Sequence, residues 1–312
     1  PDPRPARLAW EQAGAPALAR RLAPDCWHGP HYTVPLRTSV PTVVTVHDLT
    51  FFDHPEWHER SKVRFFRPMI RAAARRAAAV ICVSEYTAAR LAVHAPPRGP
   101  VLVVPHGVDH ERFRPDADPA PDLDLLDGHG IIPPYVAFAG TIEPRKNLEL
   151  LVRAFARIAP AHPDLRLVLA GGDGWGATAV RDEVAASGVA TRIVRPGYLP
   201  DPALVALFRR AAAVAYPSRE EGFGLNVLEA LACAAPLVTS RGSATEEVAG
   251  PAALLVDPAD EAGLAAALRL LVDDPDCAER LRRAGPERAA AYTWDRSVAG
   301  HLAAYRAAAG AQ

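Results

Sequence analysis

Short apolar runs alternate along this chain with longer stretches whose apolar residues recur at helical spacing. Thr42 to Val46, Val80 to Val83 and Val101 to Val104 are short runs dominated by β-branched and aliphatic residues, and the Ala-rich stretches between them read as helices. Strands with no inside-outside alternation are those of a parallel sheet covered on both faces. The pattern breaks at Pro105-His106-Gly107-Val108-Asp109, and residues 114 to 134 are rich in Pro and Asp. It then resumes, with strands expected near 135 to 139, 166 to 170, 191 to 194, 213 to 216, 237 to 239 and 253 to 256. The fold class is therefore α/β, with two doubly wound parallel-sheet lobes. A partial first lobe is expected over 1–105, a complete one over 106–293, and a closing helix over 294–312. At roughly 30 residues per βα repeat, the first lobe has room for about half of such a sheet.

Composition narrows the function classes. The 312 residues are 49% hydrophobic and 23% charged, enough to bury two ordinary cores. A net charge of -1 gives no overall attraction to nucleic acid. Cys26, Cys82, Cys233 and Cys277 form neither a CxxC nor a Cys/His cluster. That argues against a disulfide framework and a zinc site, and predicts a reducing, cytoplasmic setting. No apolar run reaches the roughly 18 to 20 residues that cross a bilayer, and the residues given carry no pattern from which a signal peptide would be expected. The chain begins with Pro and its only Met is Met69, so it is expected to be a piece of a longer protein.

The clearest chemistry lies in residues 217 to 236, PSREEGFGLNVLEALACAAP. Gly222 and Gly224 allow a sharp turn, good helix formers run from Leu225 to Ala234, and Pro236 stops them. A helix is expected to start near Leu225, its positive end facing Gly222, Phe223 and Gly224 as a seat for phosphate oxygens. Glu221 precedes that end and Glu229 lies about one turn inside it. At about 1.5 Å of rise per residue the two carboxylates stand about 8 to 12 Å apart, a span suited to a sugar nucleotide, the competing reading being a chance spacing with both solvated on an exposed helix face. The turn follows a strand in a βα unit, where open α/β sheets bind ligands. A second segment, YVAFAGTIEPRKNL over 135 to 148, gives a strand, a turn at Gly140, two cations and a helix. Leu148, Leu151, Val152, Phe155 and Ile158 make that helix amphipathic. Arg145 and Lys146 at its amino end oppose the helix dipole, a conflict that an anionic ligand would resolve, the alternative being a solvated pair that tolerates a weak penalty.

The order G-x(4)-R-K-N followed by E-G-F-G-x(4)-E resembles the retaining glycosyltransferases of family four, over about residues 10 to 305. The resemblance implies the GT-B fold, two Rossmann-like lobes with a last helix returning to the first. It implies that Arg145 and Lys146 grip the donor diphosphate, Glu221 holds the donor sugar and Glu229 the ribose. His47 closes the strand before His47-Asp48-Leu49, and a family histidine at the matching place touches the donor sugar. A histidine bonded to backbone or to Asp48 is the competing reading. Gly197 and Tyr198 resemble the family's base-contacting turn, with a plain strand-ending turn as the alternative. The catalytic set is thus His47, Arg145, Lys146 and Glu221. The donor-binding set is Gly140, Arg145, Lys146, Gly197, Tyr198, Glu221, Gly222, Phe223, Gly224, Leu225 and Glu229. No metal or other cofactor is expected, because the two cations and the helix end supply the charge a metal would.

The family's opening strands and glycine-rich loop have no counterpart here, so the chain is expected to bind nucleoside diphosphate but transfer sugar slowly or not at all. His47-Asp48-Leu49 and Gly174-Trp175 resemble bacterial enzymes of surface-polysaccharide synthesis, often mannosyltransferases, with GDP-mannose as the first donor to test. The acceptor is expected to be a glycan or a lipid-linked molecule. A sugar-nucleotide epimerase of the same architecture and a noncatalytic nucleotide-sugar-binding fragment are the alternatives. Gly171, Gly172 and Gly174 have the wrong spacing for a dinucleotide fingerprint. Asp122 and Asp124 are expected in a solvated loop, not as a metal pair. Ser84 reads as an N-cap, and Ser243 with Glu246 as a capping box. Over 59–79, Arg60, Arg64, Arg67, Arg71 and Arg75 form a basic stripe opposite Phe65, Phe66, Met69, Ile70 and Ala73. It is read as a core-packed helix with a solvated face, or as a peripheral contact at the inner face of the cell membrane.

Overall fold

The computed structural model describes Ala6, residues 9–116 and residues 118–310. The chain divides into two compact units, Pro1–Gly107 with Trp294–Gln312, and Val108–Thr293.

The first unit holds a parallel sheet of four strands in the order β1-β2-β3-β4. These are β1 Trp27–Gly29, β2 Thr42–Val46, β3 Ala79–Cys82 and β4 Val101–Val103. Side chains alternate across a strand, so each face has its own core. Val44, Val46, Val80 and Cys82 pack with Ile70, Ala73 and Leu91 from the crossover helices Arg60–Arg76 and Glu85–His94. Val43, Ala79 and Ile81 pack on the other face with Ala304 and Ala308 of the Trp294–Ala309 helix. That helix lies close against the sheet, since a Cβ added at Gly300 would stand 2.7 Å from Val104 Cγ1. Strand β1 escaped the sequence pattern, being a half-buried edge of only three residues, Trp-His-Gly.

The second unit holds six parallel strands in the order β10-β9-β8-β5-β6-β7. They are β5 Tyr135–Ala139, β6 Arg166–Ala170, β7 Ile193–Gly197, β8 Ala213–Tyr216, β9 Leu237–Ser240 and β10 Leu254–Val256. The chain winds outward from β5 to β7, then returns to β8 and winds the other way. The switch point therefore falls between β5 and β8, and the crevice for a ligand opens at their carboxyl ends. Strand β7 lies at the edge, which accommodates the missing amide of Pro196. Leu148, Leu151, Val152, Phe155 and Ile158 are all buried on the Leu148–Ile158 helix, as their spacing requires.

Several local expectations change. Asp122 and Asp124 lie on the Ala120–Asp127 helix, not in a solvated loop. Asp122 is buried, receiving Arg210 Nε at 2.7 Å and Arg209 Nη1 at 3.3 Å, and this compensation makes its burial tolerable. Ser84 is an N-cap, its Oγ accepting from the Thr87 amide at 3.0 Å. Ser243 and Glu246 do not form the reciprocal box. Glu246 reaches one residue further back to accept from the Gly242 amide at 2.7 Å, and the Ser243 hydroxyl lies 3.0 Å from that of Thr245. On the Arg60–Arg76 helix, Arg67 and Arg71 are not free surface charges. Arg67 donates to the carbonyls of Phe51 and Phe52, and Arg71 to that of His94. Both guanidinium groups also lie over the Phe52 ring, at 5.7 and 4.9 Å.

Candidate active site

The turns that leave β5, β6 and β7 are joined backbone to backbone. Gly140 has φ +147° and Gly171 φ +134°, and a Cβ on Gly171 would stand 2.0 Å from the Gly140 carbonyl oxygen. Only glycine permits both that conformation and that approach. The Gly140 amide donates to Ala170 at 2.9 Å, and the Gly171 amide to Gly197 at 2.7 Å.

Beyond Gly140 the chain makes a 3-10 turn, Pro144–Lys146, before the Leu148–Ile158 helix. Asn147 sits between them at φ 59°, the left-handed region that Asn tolerates better than most residues. Its Nδ2 donates to the carbonyls of Pro217 at 3.0 Å and Pro258 at 2.8 Å, while its Oδ1 accepts from Arg219 Nε at 3.2 Å. The Arg219 amide donates to the Arg145 carbonyl at 2.8 Å. These bonds clamp the Arg145-Lys146 turn onto the loop carrying Glu221, across the switch point.

The clamp brings three charges together. Glu221 Oε1 receives Lys146 Nζ, and Glu221 Oε2 receives Arg145 Nη1. Arg145 Nε also donates to Glu143 Oε2 at 2.9 Å. Lys146 and Glu221 are each only 8% exposed. Burial alone would raise the Glu221 pKa, but the cations of Lys146 and Arg145 outweigh it and hold the carboxyl at about 2. For Lys146, burial pulls the pKa below the usual lysine value, with Glu221 opposing that pull. Thus the negative charge beside the cations at this turn is the protein's own. Each Glu221 oxygen retains a further lone pair for an incoming hydroxyl.

The Leu225–Ala232 helix starts where its glycines allow. Gly224 has φ +99°, and a Cβ there would stand 2.9 Å from Thr245 Cγ2. Phe223 is buried with its ring 5.9 Å from that of Tyr292, while Leu225 is 41% exposed at the helix start. One turn in, Glu229 Oε2 accepts from Asn226 Nδ2 at 3.2 Å. Burial pushes the Glu229 carboxyl up to about 7, with Asp201 reinforcing the rise and Asn226 and Arg112 opposing it. Asn226 also lies toward the first turn, since a Cβ on Gly140 would stand 3.9 Å from its Oδ1.

Gly140, Arg145, Lys146, Glu221, Gly222, Phe223, Gly224, Leu225 and Glu229 therefore converge around the β5–β8 switch point. Gly197 joins this rim through the Gly171 amide, with φ +78° and open space where its Cβ would be. Tyr198 follows it with 76% of its surface exposed. His47 belongs to the other unit, directly after β2. Its Nε2 donates to the Pro30 carbonyl at 2.8 Å, and its own carbonyl accepts from Thr87 Oγ1 at 3.3 Å. Asp48 instead caps Thr50, accepting from its amide at 3.0 Å and its hydroxyl at 2.6 Å. The bond to backbone in the competing reading is thus present. The His47 ring also stacks on His106 at 5.7 Å, where burial lowers the His106 pKa to about 4. Sequence reasoning passed over Asn147, Asn226 and His106. For Asn147 the signal was available, because a polar side chain fixed between two cations and an apolar helix has a local structural use.

The glycosyl transferases group 1 family matches residues 131–288, and glycosyltransferase family 4 matches residues 1–112. The chain belongs to the group 1 glycosyltransferases. This group 1 glycosyltransferase is 29% identical over 306 residues to O-antigen chain mannosyltransferase B of Escherichia coli, covering 97% of this chain and 77% of that protein. The sucrose-phosphate synthase of Thermosynechococcus elongatus superposes with a TM-score of 0.80 at 24% identity, covering 95% of this chain and 76% of that one. Anabaena HepE, solved with UDP and glucose, superposes with a TM-score of 0.78 at 19% identity, covering 95% and 83%. Both family identity and the GT-B class implied by the sequence motifs are borne out. Among the described residues, no helix is long and apolar enough to cross a membrane.

Proposed function

We propose that this group 1 glycosyltransferase moves a sugar from a nucleoside-diphosphate sugar to a glycan or lipid-linked acceptor, with retention of anomeric configuration and without a metal. The observation that carries this reading is the buried ionised cluster of Glu221, Lys146 and Arg145 at the switch point. Arg145 and Lys146 take the diphosphate, and their charge stabilises the departing nucleoside diphosphate as the sugar becomes oxocarbenium-like. Glu221 anchors both cations and accepts hydroxyls of the donor sugar, while Glu229 accepts those of the ribose. Gly140 and the Gly222–Leu225 turn bring backbone close to the phosphates, and Gly197 with Tyr198 offers a surface to the base. His47 positions the sugar. The relationship to a mannosyltransferase favours GDP-mannose as the donor, whereas HepE was solved with UDP and glucose, so both nucleotides belong in the test. Contact with an anionic membrane surface would use Arg60, Arg64 and Arg75, which are exposed and have no ion-pair partner among the described residues.

A mass-spectrometric screen for nucleotide sugars retained by the protein, followed by a transfer assay with the retained donor, tests the reading. Arg145→Ala and Lys146→Ala should each slow transfer by about 10²-fold or more, and EDTA should leave the rate unchanged. Strong EDTA inhibition rescued by Mg²⁺ or Mn²⁺ would remove the metal-free mechanism. Epimer formation in place of transfer would assign the chain to the epimerases.

A further inference from the structure

We propose that Asn226 is a positioning residue that holds the Glu229 carboxylate as a hydrogen-bond acceptor, and thereby makes nucleotide binding depend on whether Glu229 carries a proton. The proposal rests on Glu229 being the ribose acceptor. It arises from the packing of the Leu225–Ala232 helix. Asn226 lies on its first turn and Glu229 one turn later, the spacing at which helical side chains meet. The amide bonds Glu229 Oε2 at 3.2 Å, and among the described residues Oε1 accepts no hydrogen bond. One oxygen is held and the other is available to a ligand.

The surroundings make this single bond consequential. Glu229 is half-buried, and the groups around it come from three other elements as well as its own helix. Asp201, at the start of the Asp201–Arg210 helix, disfavours the ionised carboxyl, whereas Arg112 favours it. Arg112 is itself bound to Asp201 and lies 3.6 Å from Asp109, so much of its charge is already engaged. Tyr216 of β8 stands behind, fully buried with its hydroxyl bonded to the Ala139 carbonyl at 2.8 Å, and Cys233 ends the same helix with a thiol raised by burial to about 12. Neither donates a proton to Glu229 in the structure. Asn226 is therefore the one side chain seen donating a hydrogen bond to this carboxylate among the described residues. A ribose hydroxyl pair needs acceptors, and protonation turns one carboxyl oxygen into a donor. Nucleotide affinity should accordingly rise with pH through about 7 and level off above it.

Calorimetric titration of the full chain with UDP and with GDP across neutral pH reads this directly. Glu229→Gln supplies the baseline set by the nucleotide's own phosphate. Relative to that baseline the unaltered protein should show a one-proton midpoint near 7. Asn226→Ala should move the midpoint upward by about one pH unit and weaken binding about fivefold at pH 7, and Asn226→Asp, isosteric but without the donor, should move it further. Circular dichroism establishes that each variant is folded, and the isosteric variant serves if the alanine one is not. A midpoint unchanged in both Asn226 variants while Glu229→Gln loses affinity overturns the role of Asn226 alone. Equal weakening at every pH assigns Asn226 a purely structural role and overturns it too. Full affinity in Glu229→Gln overturns the ribose reading itself.

Discussion

Replacing Glu221 by Gln should destabilise the Val108–Thr293 unit by about 3 kcal/mol at neutral pH. The carboxyl titrates at about 2 in the fold against 4.5 when unperturbed. That gap of about two and a half pH units corresponds to about 3 kcal/mol of stability at pH 7. Breaking one side of a buried ion pair carries a similar cost, about 3 to 5 kcal/mol, because the partner charges remain buried. Here Lys146 would be left without its hydrogen-bonded carboxylate, and Arg145 would lose Glu221 while keeping Glu143. The sign follows from the lowered pKa. The stabilisation is complete above the unfolded value of 4.5 and is lost as pH falls through about 2. Near pH 2.5 about three quarters of it should be gone, so the two proteins should converge there. A two-unit chain need not unfold in one step, and a global melt would blur the effect. Native-state hydrogen exchange of peptides spanning β8 and the Leu148–Ile158 helix isolates the relevant unit. A loss below about 1 kcal/mol at pH 7, or the same loss at both pH values, would refute the coupling of Glu221 to the two cations.

Two further perturbations test the frame around the site. Asn147→Ala should cost about 2 to 4 kcal/mol by leaving the Pro217 and Pro258 carbonyls without their side-chain donor, and Asn147→Gly should be hardly better although it suits the backbone; urea titration of both variants checks this. Gly224→Ala should cost about 1 to 3 kcal/mol and weaken nucleotide binding, whereas Gly172→Ala, with open space around its Cβ, should leave the melting temperature nearly unchanged.

The strand rhythm and the helix ends at Leu225 and Pro236 were legible because they rest on local preferences: apolar runs, glycine and proline. So was the gathering of Arg145 and Lys146 near Glu221, since strand-helix repetition sends both segments to the same sheet edge. What the sequence hid is how charge is settled there. The dipole argument for Arg145 and Lys146 called for an outside anion, yet Glu221, 75 positions beyond Lys146, already faces both cations. Nothing local could reveal that pairing, because it depends on β8 lying beside β5. Asp122 shows the same limit. Its Pro-rich surroundings suggest solvent, but Arg209 and Arg210 reach it from a helix far along the chain. The Ser243–Glu246 spacing failed for a smaller reason, since a glutamate long enough to reach the Ser243 amide also reaches that of Gly242.

The backbone contact between Gly140 and Gly171 divides the rim into positions that can vary and positions that cannot. A side chain at Gly171 would collide with the Gly140 carbonyl, and one at Gly174 would approach the Ile142 carbonyl to 2.7 Å. Tyr198 projects into solvent, and Gly172 has open space beside it. A lineage or a library seeking a different donor is therefore confined to places such as 172 and 198. There a new side chain can be tried while the turns beneath it, fixed to one another by their main chains, keep the carboxylates and cations in register.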